Sequence, residues 1–266
     1  MRSTTETALA DVCFVLEGTY PFVAGGVSSW VHHLVTHLPE LTFTILHISA
    51  KRGCYEKRAY DVPGNVLDVE ELYLHEPFSL KGLLKRRAPR EKVRTLSGFI
   101  RDLRDGETAH FPDLVKAMQS LRSSTRPDDL LLDRGNWNSL TEGFKSEAPE
   151  ESFLNYFWNW YYAHQPLVNI LAAPLPDAGM YHTVSTGYAG VLAAAASLRW
   201  NRPMILTEHG IYTKERRIEI YSAEWIKDRE GDSVTIEREA PYFRRFWNRQ
   251  FRMKSRITYE QAAEIF

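Results

Sequence analysis

From Val27 the apolar residues Val27, Trp30, Val31, Leu34, Val35 and Leu38 recur at intervals of three and four, the spacing of one helix face. The pattern predicts a helix over 26–38. Ahead of it, DVCFVL (11–16) is a short β-branched and aromatic run that reads as a buried strand, and TFTILHI (42–48) behind it reads as another. Strand, loop, helix, strand is the opening of a parallel α/β sheet.

The middle of the chain is less regular. NVLDVEELYL (65–74) holds a further strand. Residues 79–122, rich in Leu, Lys and Arg, read as helical. Their basic stretch KGLLKRRAPREKVR reads as a solvated helix face rather than a binding patch. DDLLLDRGNWNSLTEGF predicts a turn and a short helix. EESFLNYFWNWYYAHQPLVNILAAPLP predicts an apolar helix broken at Pro166, whose aromatic stripe belongs to the core. The α/β rhythm returns near residue 178. AGMYHTV is a strand, 186–200 a helix of small residues suited to close packing on a sheet, and RPMILTEHG (202–210) a strand with a polar end. Helices over about 214–227 and 238–262 follow, and AAEIF begins a last strand.

Composition narrows the class. With 44% hydrophobic and 25% charged residues, the 266-residue chain is an ordinary globular protein. Its net charge of −1 gives no bulk attraction to nucleic acid or anionic lipid, so nucleic acid is not an expected partner. No apolar run approaches the roughly 18 residues of a membrane span, and MRSTTETALA lacks the apolar centre of a signal peptide. Two cysteines, Cys13 and Cys54, make no disulfide framework and read as reduced thiols, which points to a cytoplasmic protein.

Three stretches carry candidate chemistry. Gly25 and Gly26 stand where the first helix begins. A helix N-terminus offers free N–H groups and a partial positive charge, and glycine lets an anion approach the backbone. The alternative is a tight turn that needs φ > 0. The glycines are adjacent, and no acidic residue ends the second strand, so this is not the dinucleotide fingerprint; no Lys-Ser/Thr follows, so it is not a P-loop. In YHTVSTGYAG, His182 falls at the carboxyl end of a strand, where ligand crevices of open α/β sheets lie, and Ser185 or Thr186 is placed to cap the next helix. The bland reading of His182 is a structural histidine. In TEHGIYTKERR, Glu208, His209 and Gly210 close a strand, and Lys214, Arg216 and Arg217 come one or two turns later. These groups suit a polar substrate with phosphates nearby, or else pair on the surface. A metal site from His182, Glu208 and His209 is a further alternative, although the spacing matches no standard metal motif.

Taken together and in this order, LEGTYPFVAGGVSSWV, YHTVSTGYAG and TEHGIYTKERRIEI resemble the N-terminal half of retaining family 4 glycosyltransferases with the GT-B fold, most of all the PelF type of Pel exopolysaccharide biosynthesis. The resemblance covers most of the chain; 80–150 is its least specific part. It implies a Rossmann-like parallel sheet flanked by helices, the acceptor-side half of a GT-B fold, with a helical insertion at about 79–173. It implies that Gly25 and Gly26 approach the donor phosphates, and that His182 lies by the reacting sugar as the catalytic residue. Thr186, Gly187, Glu208, His209, Gly210, Lys214 and Arg216 would line the acceptor side of the cleft. It implies no cofactor and no metal: a nucleoside diphosphate sugar, UDP-glucose, is the donor and a glycan the acceptor, with a membrane synthase complex as a further candidate partner. The family's C-terminal donor domain is absent from the sequence. Glu142 and Glu150 match the family's Glu-x7-Glu spacing by chance, since they lie in a charged segment of the middle region. The chain alone is therefore expected to be inactive. The rival expectations are a non-catalytic glycan- or partner-binding domain and a metal-dependent hydrolase.

Overall fold

A computed structural model of the protein describes residues 9–75, 88–121, 127–226 and 241–266. Six parallel strands form one sheet in the order β3-β2-β1-β4-β5-β6. They are β1 (Ala10–Glu17), β2 (Phe43–Ser49), β3 (Val66–Tyr73), β4 (Ala178–Thr183), β5 (Met204–Leu206) and β6 (Glu264–Ile265). The arrangement is Rossmann-like α/β.

Helix α1 (Gly26–His37) joins β1 to β2 and buries Val31 and Val35 against one face of the sheet, where Val12, Phe14, Leu16, Phe43 and Ile45 point. The opposite parity of β1, Cys13 and Val15, faces α7 (Tyr188–Trp200). Alternation along one strand thus divides the core into two layers, as the period of two requires. Helix α7 packs closely on that face because Ala193, Ala194, Ala195 and Ala196 are all fully buried.

Among the described residues, five helices lie between β3 and β4: α2 (Arg90–Asp105), α3 (Phe111–Gln119), α4 (Pro127–Leu131), α5 (Arg134–Glu147) and α6 (Phe153–Ala172). With α9 (Tyr242–Gln261) they share the α7-side core. Helix α8 (Tyr212–Ser222) follows β5. The start of the predicted helical region at 79, the basic residues 81–87 and the junction at 227–240 lie outside the described residues.

Two sequence expectations are corrected. Helix α6 is not broken at Pro166 but runs through it. The missing N–H frees the carbonyl of Tyr162, a half-exposed residue, while Leu167, Val168, Ile170 and Leu171 beyond the proline are buried and hold the helix on course. Strand β5 spans three residues instead of the predicted 202–210. Pro203 offers no ladder donor. After Leu206 the chain makes two more bonds, from Thr207 N–H to the Thr183 carbonyl and from Glu208 N–H to the Phe266 carbonyl, and then turns away.

Candidate functional site

Strand order reverses between β1 and β4. From β1 the chain crosses through α1 to β2 on one side, and from β4 it crosses through α7 to β5 on the other. The crevice outside the carboxyl ends at such a switch point is where open α/β sheets hold ligands. Two helix N-termini open there, and their surroundings differ.

The N-terminus of α7 is already occupied. Glu17, the last residue of β1, accepts the Tyr188 N–H at 3.1 Å. Burial raises the Glu17 pKa, opposed by those backbone donors and by Lys254 and Arg216. Lys254, on α9, is fully buried with its Nζ 4.6 Å above the Tyr188 ring and 4.8 Å above Phe251. Burial drives its pKa down to about 7, with Glu17 pulling the other way. A carboxylate supplied by the neighbouring strand therefore neutralises this helix end.

The N-terminus of α1 carries no such compensation. It has no side-chain cap and no acidic residue in its first turn. Gly25, Gly26 and Ala24 are exposed. Gly25 has φ 170°, ordinary extended backbone, and Gly26 is not among the positive-φ residues, which include Gly18, Gly53 and Gly106. The tight-turn reading of the glycine pair is thereby overturned. A Cβ on either glycine would meet no protein atom within 4 Å. What the two glycines keep open is the approach to the helix end from outside. Gly25 N–H donates weakly to the Tyr60 hydroxyl at 3.4 Å, and Ser29 Oγ lies 3.2 Å from the same oxygen.

One turn into α1, Trp30 draws the predicted residues together. Its ring meets His182 edge-on at 5.7 Å and His209 at 4.9 Å. His182 is 7% exposed, stacks on Phe14 at 4.8 Å and shares a 2.9 Å hydrogen bond from Nε2 to Thr207 Oγ1. Burial, aided by the nearby His209, pushes its pKa down to about 4. His182 is therefore neutral near pH 7. Gly25, Gly26, Trp30, His182, Thr207 and His209 thus form one group at the carboxyl edge.

The other predicted residues form a second, packed group. Thr186 is fully buried and bonds Ser255 Oγ at 2.8 Å. Gly187 lies against Tyr212, whose ring a Cβ would strike at 2.8 Å. The Glu208 carboxylate accepts from the Tyr259 hydroxyl at 2.8 and 2.9 Å and from Tyr212 N–H at 3.4 Å. Gly210 abuts the Glu215 carboxylate. Arg216 reaches Glu219 at 2.5 Å and lies over the Tyr212 ring, whereas Lys214 points into a groove between α8 and α9. His182, Glu208 and His209 do not gather as ligands: among the described residues no three His, Cys, Asp or Glu side chains form a cluster that would hold a metal. Glu142 and Glu150 are exposed, on and just after α5.

Trp30, Tyr60, Thr207, Glu17 and Lys254 were not legible as site residues. Trp30 sits on the apolar stripe of α1 and reads as core. Glu17 and Lys254 are joined only by the fold.

A family profile described as a domain of unknown function, DUF3492, matches residues 10–266. No curated protein and no solved structure matches the chain. No helix among the described residues is long and apolar enough to cross a membrane.

Proposed function

Since the chain belongs to the DUF3492 family, a domain type found at the N-termini of GT-B glycosyltransferases, we propose that it forms the acceptor-side wall of a cytoplasmic glycosyltransferase. The donor is a nucleoside diphosphate sugar, UDP-glucose by resemblance, and the product a growing exopolysaccharide of the Pel type. The observation that carries this reading is the uncapped α1 N-terminus, open at Gly25 and Gly26, one turn from Trp30 and the neutral His182.

Breaking the sugar–phosphate bond leaves negative charge on the departing diphosphate. Free N–H groups and the positive end of α1 stabilise that charge without reorganising. Retention of configuration requires the acceptor oxygen to arrive on the face from which the diphosphate leaves. His182, held by Thr207 and packed between Phe14 and Trp30, offers a neutral ring nitrogen to a sugar hydroxyl and so fixes the pyranose in place. Trp30 and His209 supply flat surface for the sugar or the acceptor. Groups on a second domain hold the rest of the donor, so this chain binds nucleotide weakly and transfers nothing by itself.

Calorimetry with UDP, on the chain and on Gly26→Val, tests the reading. The expected dissociation constant is on the order of 1 mM. The variant weakens it about tenfold, since a branched side chain covers the N–H groups. Labelled UDP-glucose should yield no transfer product with the 266-residue chain. Turnover by this chain, or UDP affinity that Gly26→Val leaves unchanged, would refute the proposal. Glycan binding with no nucleotide binding would favour the non-catalytic alternative.

A further inference from the structure

Helices α8 and α9 enclose an open groove of about 430 Å³, lined by Thr213, Lys214, Arg217 and Tyr221 from α8 and Arg245, Asn248, Arg249 and Arg252 from α9. Five of the eight lining residues are cations and none is acidic. On α8, Lys214, Arg217 and Tyr221 recur at three and four residues; on α9, Arg245, Asn248, Arg249 and Arg252 do the same. Each set is a two-turn stripe roughly 10 Å long. A chain of net charge −1 has therefore concentrated positive charge along one narrow surface.

Among the described residues, three neighbouring carboxylates have other contacts. Glu219 pairs with Arg216 at 2.5 Å, away from the groove, and Glu215 lies against Gly210. Glu147 holds Arg249 at 2.7 Å from the α5 side, orienting that guanidinium rather than filling the groove. Arg217 lies over the Tyr221 ring, which keeps its fork extended along the wall. Four of the five cations are arginines, whose planar forks match phosphate oxygens two at a time.

We infer that the α8–α9 groove is a binding site for a ligand carrying several adjacent phosphates, separate from the α1 N-terminus and independent of the transfer reaction proposed above. Such phosphates come from a soluble oligophosphate or from a lipid headgroup. The exposed Ile218 and Trp225, on and just beyond α8, would meet the acyl region in the second case.

The test uses sodium tripolyphosphate, inorganic phosphate, and phosphatidylcholine vesicles with and without phosphatidylinositol 4,5-bisphosphate, whose headgroup carries adjacent phosphates. Proteins are the chain, Arg217→Gln/Arg252→Gln, Ile218→Glu, and a control that removes two charges elsewhere, Lys116→Gln/Lys145→Gln. All the substituted side chains are exposed, so thermal unfolding should stay within about 2 °C of the parent. Tripolyphosphate should bind one to one, about tenfold more tightly than phosphate, and lose about tenfold in affinity in the arginine variant but not in the control. Gly26→Val should leave this binding unchanged. Sedimentation with phosphatidylinositol 4,5-bisphosphate vesicles that Ile218→Glu abolishes would assign the site to a headgroup. Tripolyphosphate binding without sedimentation would assign it to a soluble ligand. No tripolyphosphate binding at about 0.1 M salt, or equal loss in the control, would overturn the inference.

Discussion

Acid should unfold this protein through its buried histidines. His47, His164 and His182 are 0%, 3% and 7% exposed. Burial is the largest cause in each of a pKa lowered to about 4 from the ordinary 6.5. His47 lies among Phe22 and Tyr55 with Nδ1 3.2 Å from Ser49 Oγ; the Nδ1–H of His164 donates to the Trp160 carbonyl at 2.6 Å. Below about pH 6.5 the unfolded chain takes up protons on these rings that the folded chain refuses. Stability is therefore full above the unfolded pKa and falls as pH drops toward the folded one. For pKa values of 6.5 and 4, going from about pH 7.5 to about pH 5 costs roughly 2 kcal/mol per histidine. Three together cost on the order of 6 kcal/mol, comparable with the whole stability of a typical domain. Glu17 and Glu70, whose pKa values burial raises, work in the opposite direction and reduce the net loss. A single substitution isolates the effect. His164→Met places an apolar, non-titrating side chain in α6 and should lower the histidine-dependent loss by about a third. Urea unfolding at a series of pH values measures it. Equal stability at the two pH values, or a pH dependence unchanged in His164→Met, would refute the reasoning.

Two further substitutions probe the packing around the crevice. Gly190→Ala should destabilise by about 2–4 kcal/mol, because a Cβ there would lie 2.6 Å from the Ser185 carbonyl and collide with Thr258; Gly25→Ala, with nothing in range, should be neutral within about 0.5 kcal/mol in the same thermal assay. Tyr259→Phe removes the hydroxyl that bonds both Glu208 oxygens and should cost about 1.5 kcal/mol by urea unfolding; an unchanged midpoint would mean that water replaces it without loss.

Much of the fold was legible because local pattern and burial agree. In β1, β2 and β4 the β-branched and aromatic runs coincide with buried strands. The stripe from Val27 to Leu38 coincides with α1. Pro166 misled because proline chemistry is local, whereas its helix is held by burial on both sides. The end of β5 was overread because polarity at 207–210 shows where a strand ends only once its neighbours are known. Gly25, Gly26, His182 and His209 were singled out by their positions at strand and helix ends, and Trp30 lies beside the two histidines. Arg216 and Lys214 look equivalent in TKERR, yet they part in space. Their directions follow from which face of α8 buries Ile220, a fact about packing rather than composition. The Glu17–Lys254 relation carries no sequence signal at all.

The central claim is that the α1 N-terminus receives the donor diphosphate. It is tested most directly by following backbone amide resonances of the isotopically labelled chain as UDP is added. The expected result is a saturable shift largest at Gly25, Gly26, Val27 and Ser28, with smaller changes at Trp30 and His182 and none at Tyr188, whose N–H is already held by Glu17. Shifts confined to the α8–α9 groove, or centred on Tyr188 and Ala189, would contradict it.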